Sequence, residues 1–210
     1  SPHYYAPRPS ETRALHRSDL VIWIGPSVEP GLAKTLQTLG PDVQILSLGK
    51  TPELNLLPAR KGGNRSNLDQ TAAHDPHFRG SKDPHFWLDP LRSATAAQVI
   101  AQSLIAADPA NSSRYTGNLT ALTAELQDLD VELQDLFAPL SDAPLIVFHD
   151  AYLYLEKRYH LKVLGALTVS PDRAPGAKRV SQIREKILQA GVTCVLYEPQ
   201  FKPALVRILT

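Results

Sequence analysis

The sequence of 210 residues contains no methionine and one cysteine, Cys194. A single thiol excludes an internal disulfide and every zinc site built from clustered cysteines. Cys194 itself reads as a small buried hydrophobe in a strand. Neither sign of charge is in excess, since 22 Lys and Arg stand against 21 Asp and Glu. That balance excludes the basic stripe of an electrostatic nucleic-acid binder. Long apolar runs are also missing. The longest, Leu20–Ile24, falls far short of the roughly 20 residues a membrane-spanning helix needs. With neither an initiator Met nor an N-terminal apolar signal segment, the chain reads as processed or cut. What is plentiful is hydrophobic residues, at 43% against 20% charged, enough for a substantial core in a chain that is neither disordered nor fibrous.

Leu20-Val-Ile-Trp-Ile24 runs into Gly25-Pro26, the pattern of a strand buried on both faces. Val43–Leu48, Leu145–Phe148, Leu161–Leu167 and Cys194–Tyr197 read the same way. Helical signals lie between them. Ser10 is the expected N-cap of Glu11–Arg17, and Asp89-Pro90 supplies a cap and a first-turn proline for Leu91–Ala106. Ala177–Ala190 is amphipathic and stops at Gly191. Short buried strands alternating with such helices predict an α/β fold with largely parallel sheets flanked by helices. Ser112–Ala138 differs. Tyr115, Leu119, Leu122, Leu126, Leu129, Leu133 and Leu136 alternate at spacings of four and three, a heptad seam. The helix this predicts spans roughly 40 Å at about 1.5 Å per residue. Glu125, Asp128, Asp130, Glu132 and Asp135 form its expected solvated face. The domain reading is therefore an N-terminal lobe over 1–111, a bridging helix over 112–138 and a C-terminal lobe over 139–210. Gly49–Lys82 reads mostly as loop, and within it Asp75-Pro-His-Phe78 is repeated as Asp83-Pro-His-Phe86.

No G-x-G-x-x-G, Walker-type loop, G-x-S-x-G or H-E-x-x-H occurs. The positions of three histidines stand out instead. His3 precedes the first helix, His85 lies just before a helix start in Pro84-His-Phe-Trp-Leu-Asp-Pro90, and His149 ends the strand Leu145–Phe148. Strand ends and helix starts are where open α/β sheets place ligands. Zn²⁺ prefers four tetrahedral ligands and takes imidazole readily, so three histidines could supply three of the four. Dispersed ligands have no local spacing code, however, and a single histidine is more often a hydrogen-bonded structural residue. Asp83, Asp89 and Asp150 flank the three, as acceptors that orient imidazoles or as helix caps, with the cap favoured for Asp89. His16 and His160 read as exposed residues at a helix end and a turn. His74 and His77 read as solvated loop residues, with an auxiliary ligand role as the alternative.

Given these residues, the sequence resembles the ZnuA-like zinc-binding solute receptors of bacterial ABC transporters, in the cluster A-I metal-binding family. PHYYAPRPSETRALHRSDLVIWIGPSVE, DPHFWLDP, DPANSSRYTGNLTALTAEL, VFHDAYLYLEKRYHLKVLG and GVTCVLYEPQF carry the resemblance, which spans nearly all of the chain outside 49–82. The resemblance implies two α/β lobes bridged by a long helix, with metal in the cleft between them and His3, His85 and His149 at the three histidine ligand positions. Manganese-carrying relatives have a carboxylate where His149 stands, and imidazole there goes with zinc, as ligand softness dictates. By the same resemblance, a strand and helix before the first ligand and the rest of the second lobe after residue 210 are missing. A fourth, carboxylate ligand usually comes from that later part. Some zinc receptors place Glu where this chain has Pro2. Cys194 matches a cysteine that pairs with a late C-terminal one, and the family's acidic, His-rich loop is here a basic loop with only His74 and His77.

The expectation is thus a monomeric, periplasmic or lipid-anchored extracytoplasmic receptor, not an enzyme, that captures Zn²⁺ and delivers it to an ABC transporter membrane permease. Neutral imidazoles are required, so affinity should fall below about pH 6. A manganese or iron receptor is the alternative within the class. A zinc hydrolase is the alternative outside it, with Asp150 as the one close candidate base, and an adhesin with incidental metal is a third.

Overall fold

A computed structural model describes residues 3, 5–60, 82–168 and 175–199. Expectations for His74, His77, the copy of the repeat at Asp75–Phe78 and the end of the YEPQF motif lie outside the described residues. The chain forms two compact units, Ser1–Leu56 with Asp89–Glu132 and Leu57–Leu88 with Leu133–Thr210. Each unit draws on two separate stretches of the chain.

In the first unit, β1 (Leu20–Trp23) and β2 (Gln44–Ser47) pair in parallel from Leu20↔Gln44 to Trp23↔Ser47. Val21 packs with Leu32 and Leu36 of α2 (Pro30–Leu36), and Leu15 of α1 (Pro9–Leu15) and Trp23 close the cluster. The expected burial of both faces is not met, since Ile22 and Ile45 are exposed at 37% and 44%. Among the described residues this sheet has two strands, so an apolar run alone does not guarantee a second cover.

The helix α1 starts earlier than Ser10 would place it. Pro9 presets the first helical φ, and the residue before it, Arg8, is the N-cap. Glu11, three residues on, accepts the Arg8 backbone N–H at 2.7 Å and the Arg8 guanidinium at 2.7 Å, half of a capping box. The same carboxylate raises the Tyr5 phenol above its ordinary value. The Tyr5 segment crosses α2 at Gly31, where a Cβ would lie 2.1 Å from the Tyr5 carbonyl oxygen. Only glycine permits that approach.

Asp89 caps α3 (Pro90–Ala107) by accepting the N–H groups of Leu91 at 3.1 Å and Arg92 at 3.4 Å. Asp108 then holds the turn into α4 (Ser112–Phe137), accepting the Asn111 amide at 2.7 Å and the Tyr115 hydroxyl at 2.9 Å. The long helix exists, but its inward row is not the leucine seam. Leu122, Leu129 and Leu136 are exposed at 43%, 41% and 63%. The covered row is Tyr115, Leu119, Thr123, Leu126, Asp130, Leu133 and Phe137, turned by roughly 50° at about 100° per residue. Asp130, expected in solvent, is 5% exposed. A strict heptad suits a supercoiled partner, whereas a straight helix drifts off it and buries whichever row meets its own fold.

The second unit is built on β3 (Pro144–His149), flanked in parallel by β4 (Lys162–Thr168) and β5 (Cys194–Leu196) in the order β4-β3-β5. Here the expected two-sided burial holds. Leu145 and Val147 pack with Tyr159, Leu161, Val163 and Ala166, while Ile146 and Phe148 pack with Leu167 and Ile183. Phe137 of α4 lies 5.3 Å from the Tyr159 ring of α5 (Leu153–Tyr159). In the ladder Leu145 pairs with Val163 but Ile146 with Gly165, which inserts Leu164 as an extra residue on β4. Helix α6 (Ala177–Ala190) ends on Gly191 at φ 62°, as the sequence requires. Cys194 is exposed rather than buried, because it opens a short strand at the edge of the described sheet.

Gly31→Ala should destabilise the chain by about 2 kcal/mol, as overpacking against rigid backbone does, and denaturant unfolding measures it; a cost below about 0.5 kcal/mol would show that the Tyr5 segment does not cross there. The Arg8 contacts draw the Glu11 carboxyl from its ordinary 4.5 to about 2. The N-terminal turn of α1 should therefore keep its Glu11 stabilisation above the ordinary carboxyl range and lose it as pH falls through about 2. Amide exchange at Thr12 across that range is the check, and fraying already complete at 4.5 would contradict it.

Candidate metal centre

His149 is the last residue of β3 and sits opposite Thr168 of β4. Beyond it the strand turns away: Asp150 N–H bonds to the Thr168 carbonyl at 3.1 Å and Ala151 N–H to the His149 carbonyl at 2.8 Å. His85 precedes a one-turn 3-10 helix, Phe86–Leu88, that leads to the Asp89 cap. The fold brings these two histidines of the second unit together. Their ring centroids are 5.1 Å apart and their planes nearly perpendicular at 84°. Both are buried, at 7% and 5% exposure, and Trp87 lies edge-on to His85 at 5.2 Å.

Each imidazole has a carboxylate on its Nδ1 side. Asp83 Oδ1 accepts the backbone N–H of His85 at 2.9 Å and its ring Nδ1–H at 2.8 Å. Glu198 Oε1 lies 3.5 Å from Nδ1 of His149. A proton on Nδ1 puts the lone pair on Nε2, so Asp83 assigns His85 the tautomer that presents Nε2 to an ion. Burial first, then the Glu198 charge, raises the Tyr152 phenol well above the ordinary range. Sequence reasoning missed Glu198 as an orienting group; its position in YEPQF after the short strand β5 was the available signal.

The three flanking aspartates divide by role. Asp83 orients His85. Asp89 caps α3 and pairs with Arg92 at 3.2 Å. Asp150 orients neither ring, because Arg60 takes its Oδ1 at 2.7 Å and Glu156 Oε2 at 2.7 Å. Burial raises the Asp150 carboxyl above its ordinary value, with Arg60 opposing. His3 is half-buried and belongs to the first unit. His16 and His160 are exposed; His16 caps the end of α1 and His160 ends α5 in a left-handed conformation at φ 54°.

Two buried imidazoles, each with a carboxylate beside its Nδ1, form a donor set for a borderline-soft divalent cation. The buried triad of Arg60, Asp150 and Glu156 is costly to break. Arg60→Ala should lose about 3–5 kcal/mol in denaturant unfolding by leaving Asp150 and Glu156 buried without a cation, and adding Asp150→Asn and Glu156→Gln should recover most of it. A loss under 1 kcal/mol would show the acids to be hydrated.

Residues 1–210 match the family described as ZnuA, zinc-uptake complex component A periplasmic. The high-affinity zinc uptake system protein ZnuA of Brucella abortus (strain 2308) is 37% identical over 232 residues, covering 99% of this chain and 70% of its own length. A crystal structure of ZnuA superposes with a TM-score of 0.80 at 26% identity, over 100% of this chain and 72% of that one. A 138-173 ZnuA deletion mutant with zinc bound superposes with a TM-score of 0.76 at 25% identity, over 100% and 73%. The chain belongs to the family of periplasmic zinc-uptake component A proteins.

Proposed function

We propose that this protein is an extracytoplasmic zinc receptor that captures Zn²⁺ through Nε2 of His85 and His149, with His3 of the first unit as third ligand, and delivers it to the permease of an ABC transporter. The observation that carries this reading is the buried His85–His149 pair, each ring with a carboxylate at Nδ1. Such carboxylate–imidazole pairs fix ring orientation and raise ligand basicity toward a metal. The relatives named for high-affinity zinc uptake support the choice of cargo. An all-imidazole protein set favours zinc over manganese, which prefers harder oxygen donors. The long helix Ser112–Phe137 serves as the connection between the two lobes, and the receptor acts as a monomer in the periplasm or tethered by lipid outside the membrane.

A hydrolase would need a general base within reach of a metal-bound water. The sequence candidate, Asp150, is held by Arg60 at 2.7 Å, which counts against the hydrolase and supports a receptor that is not an enzyme. Competitive titration of the metal-stripped chain with Zn²⁺ and Mn²⁺ tests the reading. Zinc should bind one to one and displace manganese, and His149→Ala and His85→Ala should each weaken zinc by at least about 100-fold, as expected from loss of a direct ligand. Equal affinity for the two metals, or undiminished zinc binding in both variants, would sink the proposal.

A further inference from the structure

Tyr154 on α5 is 1% exposed and uses both hydrogen-bonding capacities of its hydroxyl. The oxygen accepts the Leu57 N–H at 2.9 Å, and the O–H donates to the Asp83 carbonyl at 2.7 Å. The two segments it joins are also linked to each other. Asp83 N–H bonds to the Leu57 carbonyl at 2.8 Å, and Pro58 and Lys82 form an antiparallel bridge. From the same residue, the Asp83 carboxylate holds His85 by its backbone and its ring. Tyr154 follows His149 by five positions, on the helix that β3 leads into. All of these residues lie in the second unit.

We infer that Tyr154 is a positioning residue for zinc capture: its hydroxyl fixes the main chain of Asp83, and so the tautomer and placement of the His85 ring, relative to the β3–α5 segment that bears His149. A buried phenol is costly unless its hydroxyl is satisfied. Packing alone would be served by Phe, so what the hydroxyl adds is the position of the main chain. Without it the Asp83 carbonyl loses a buried donor and the Asp83–His85 turn gains freedom. An imidazole with a loosened Nδ1 partner populates both tautomers, and only one presents Nε2.

The inference rests on His85 being a ligand, and the test separates the two. Tyr154→Phe in the full chain should weaken zinc about 10-fold or more, the scale seen when partners of metal ligands are lost. In the metal-free protein at fixed pH near 8, ¹⁵N-histidine NMR should show His85 passing from the Nδ1–H tautomer to a mixture. Val163→Ala, a core truncation in the same unit, controls for general loss of stability and should leave the tautomer unmoved. If Tyr154→Phe matches the parent in zinc affinity and His85 tautomer while His85→Ala has lost zinc, the positioning role is overturned. If His85→Ala itself retains full zinc affinity, the ligand reading fails and the inference with it.

Discussion

A parallel strand covered on both sides has to satisfy two apolar interfaces with alternate residues, and β3 is the place where this chain does so. Leu145 and Val147 serve one layer, Ile146 and Phe148 the other. With every residue of the strand from Leu145 to His149 buried, nothing in it can rotate or slide without exposing one layer. His149 inherits that rigidity as the strand's last residue. A histidine at such a position is placed by the whole core, to the tolerance that a metal ligand requires.

The charges near this strand are arranged as neighbouring circuits. Asp83 and Glu198 face imidazole Nδ1 atoms, and Asp150 and Glu156 face Arg60. The two are electrostatically coupled, since Asp150 also feels Asp83, His149 and His85. A guanidinium close to a cation site would oppose metal binding, whereas Arg60 spends its charge on two buried carboxylates. Those carboxylates in turn are kept from competing for the ion.

The degree to which this was legible in the sequence follows how local each signal is. The Asp89-Pro90 cap, the Gly191 stop and the apolar run of β3 are readable because the residues involved act on their immediate neighbours. The leucine seam of α4 misled because periodicity reports that a stripe exists, while the direction it faces is set by what lies beside it; Thr123 and Asp130 are covered in place of Leu122 and Leu129. Ile22 and Cys194 misled for a related reason, since burial depends on neighbours that a strand cannot name. His85 and His149 were singled out from their places at a helix start and a strand end, and the fold brings their rings together. Glu198, Arg60 and Tyr154 were not found, because their partners are distant in sequence and ordinary in type.

The extra residue on β4 has a different kind of consequence. Before Leu164 the odd-numbered residues Leu161 and Val163 join the Tyr159 layer; after it the even-numbered Ala166 does. The insertion is thus absorbed by the partner strand, and β3 keeps an unbroken alternation up to its histidine. Strand parity makes length a discrete variable here. One residue gained or lost between Leu145 and His149 would carry the imidazole to the opposite face of the sheet, and no shift of side-chain torsion could bring it back. Over evolutionary time, changes in chain length should therefore collect in β4 and the connecting segments. The interval from Leu145 to His149 behaves as a fixed ruler.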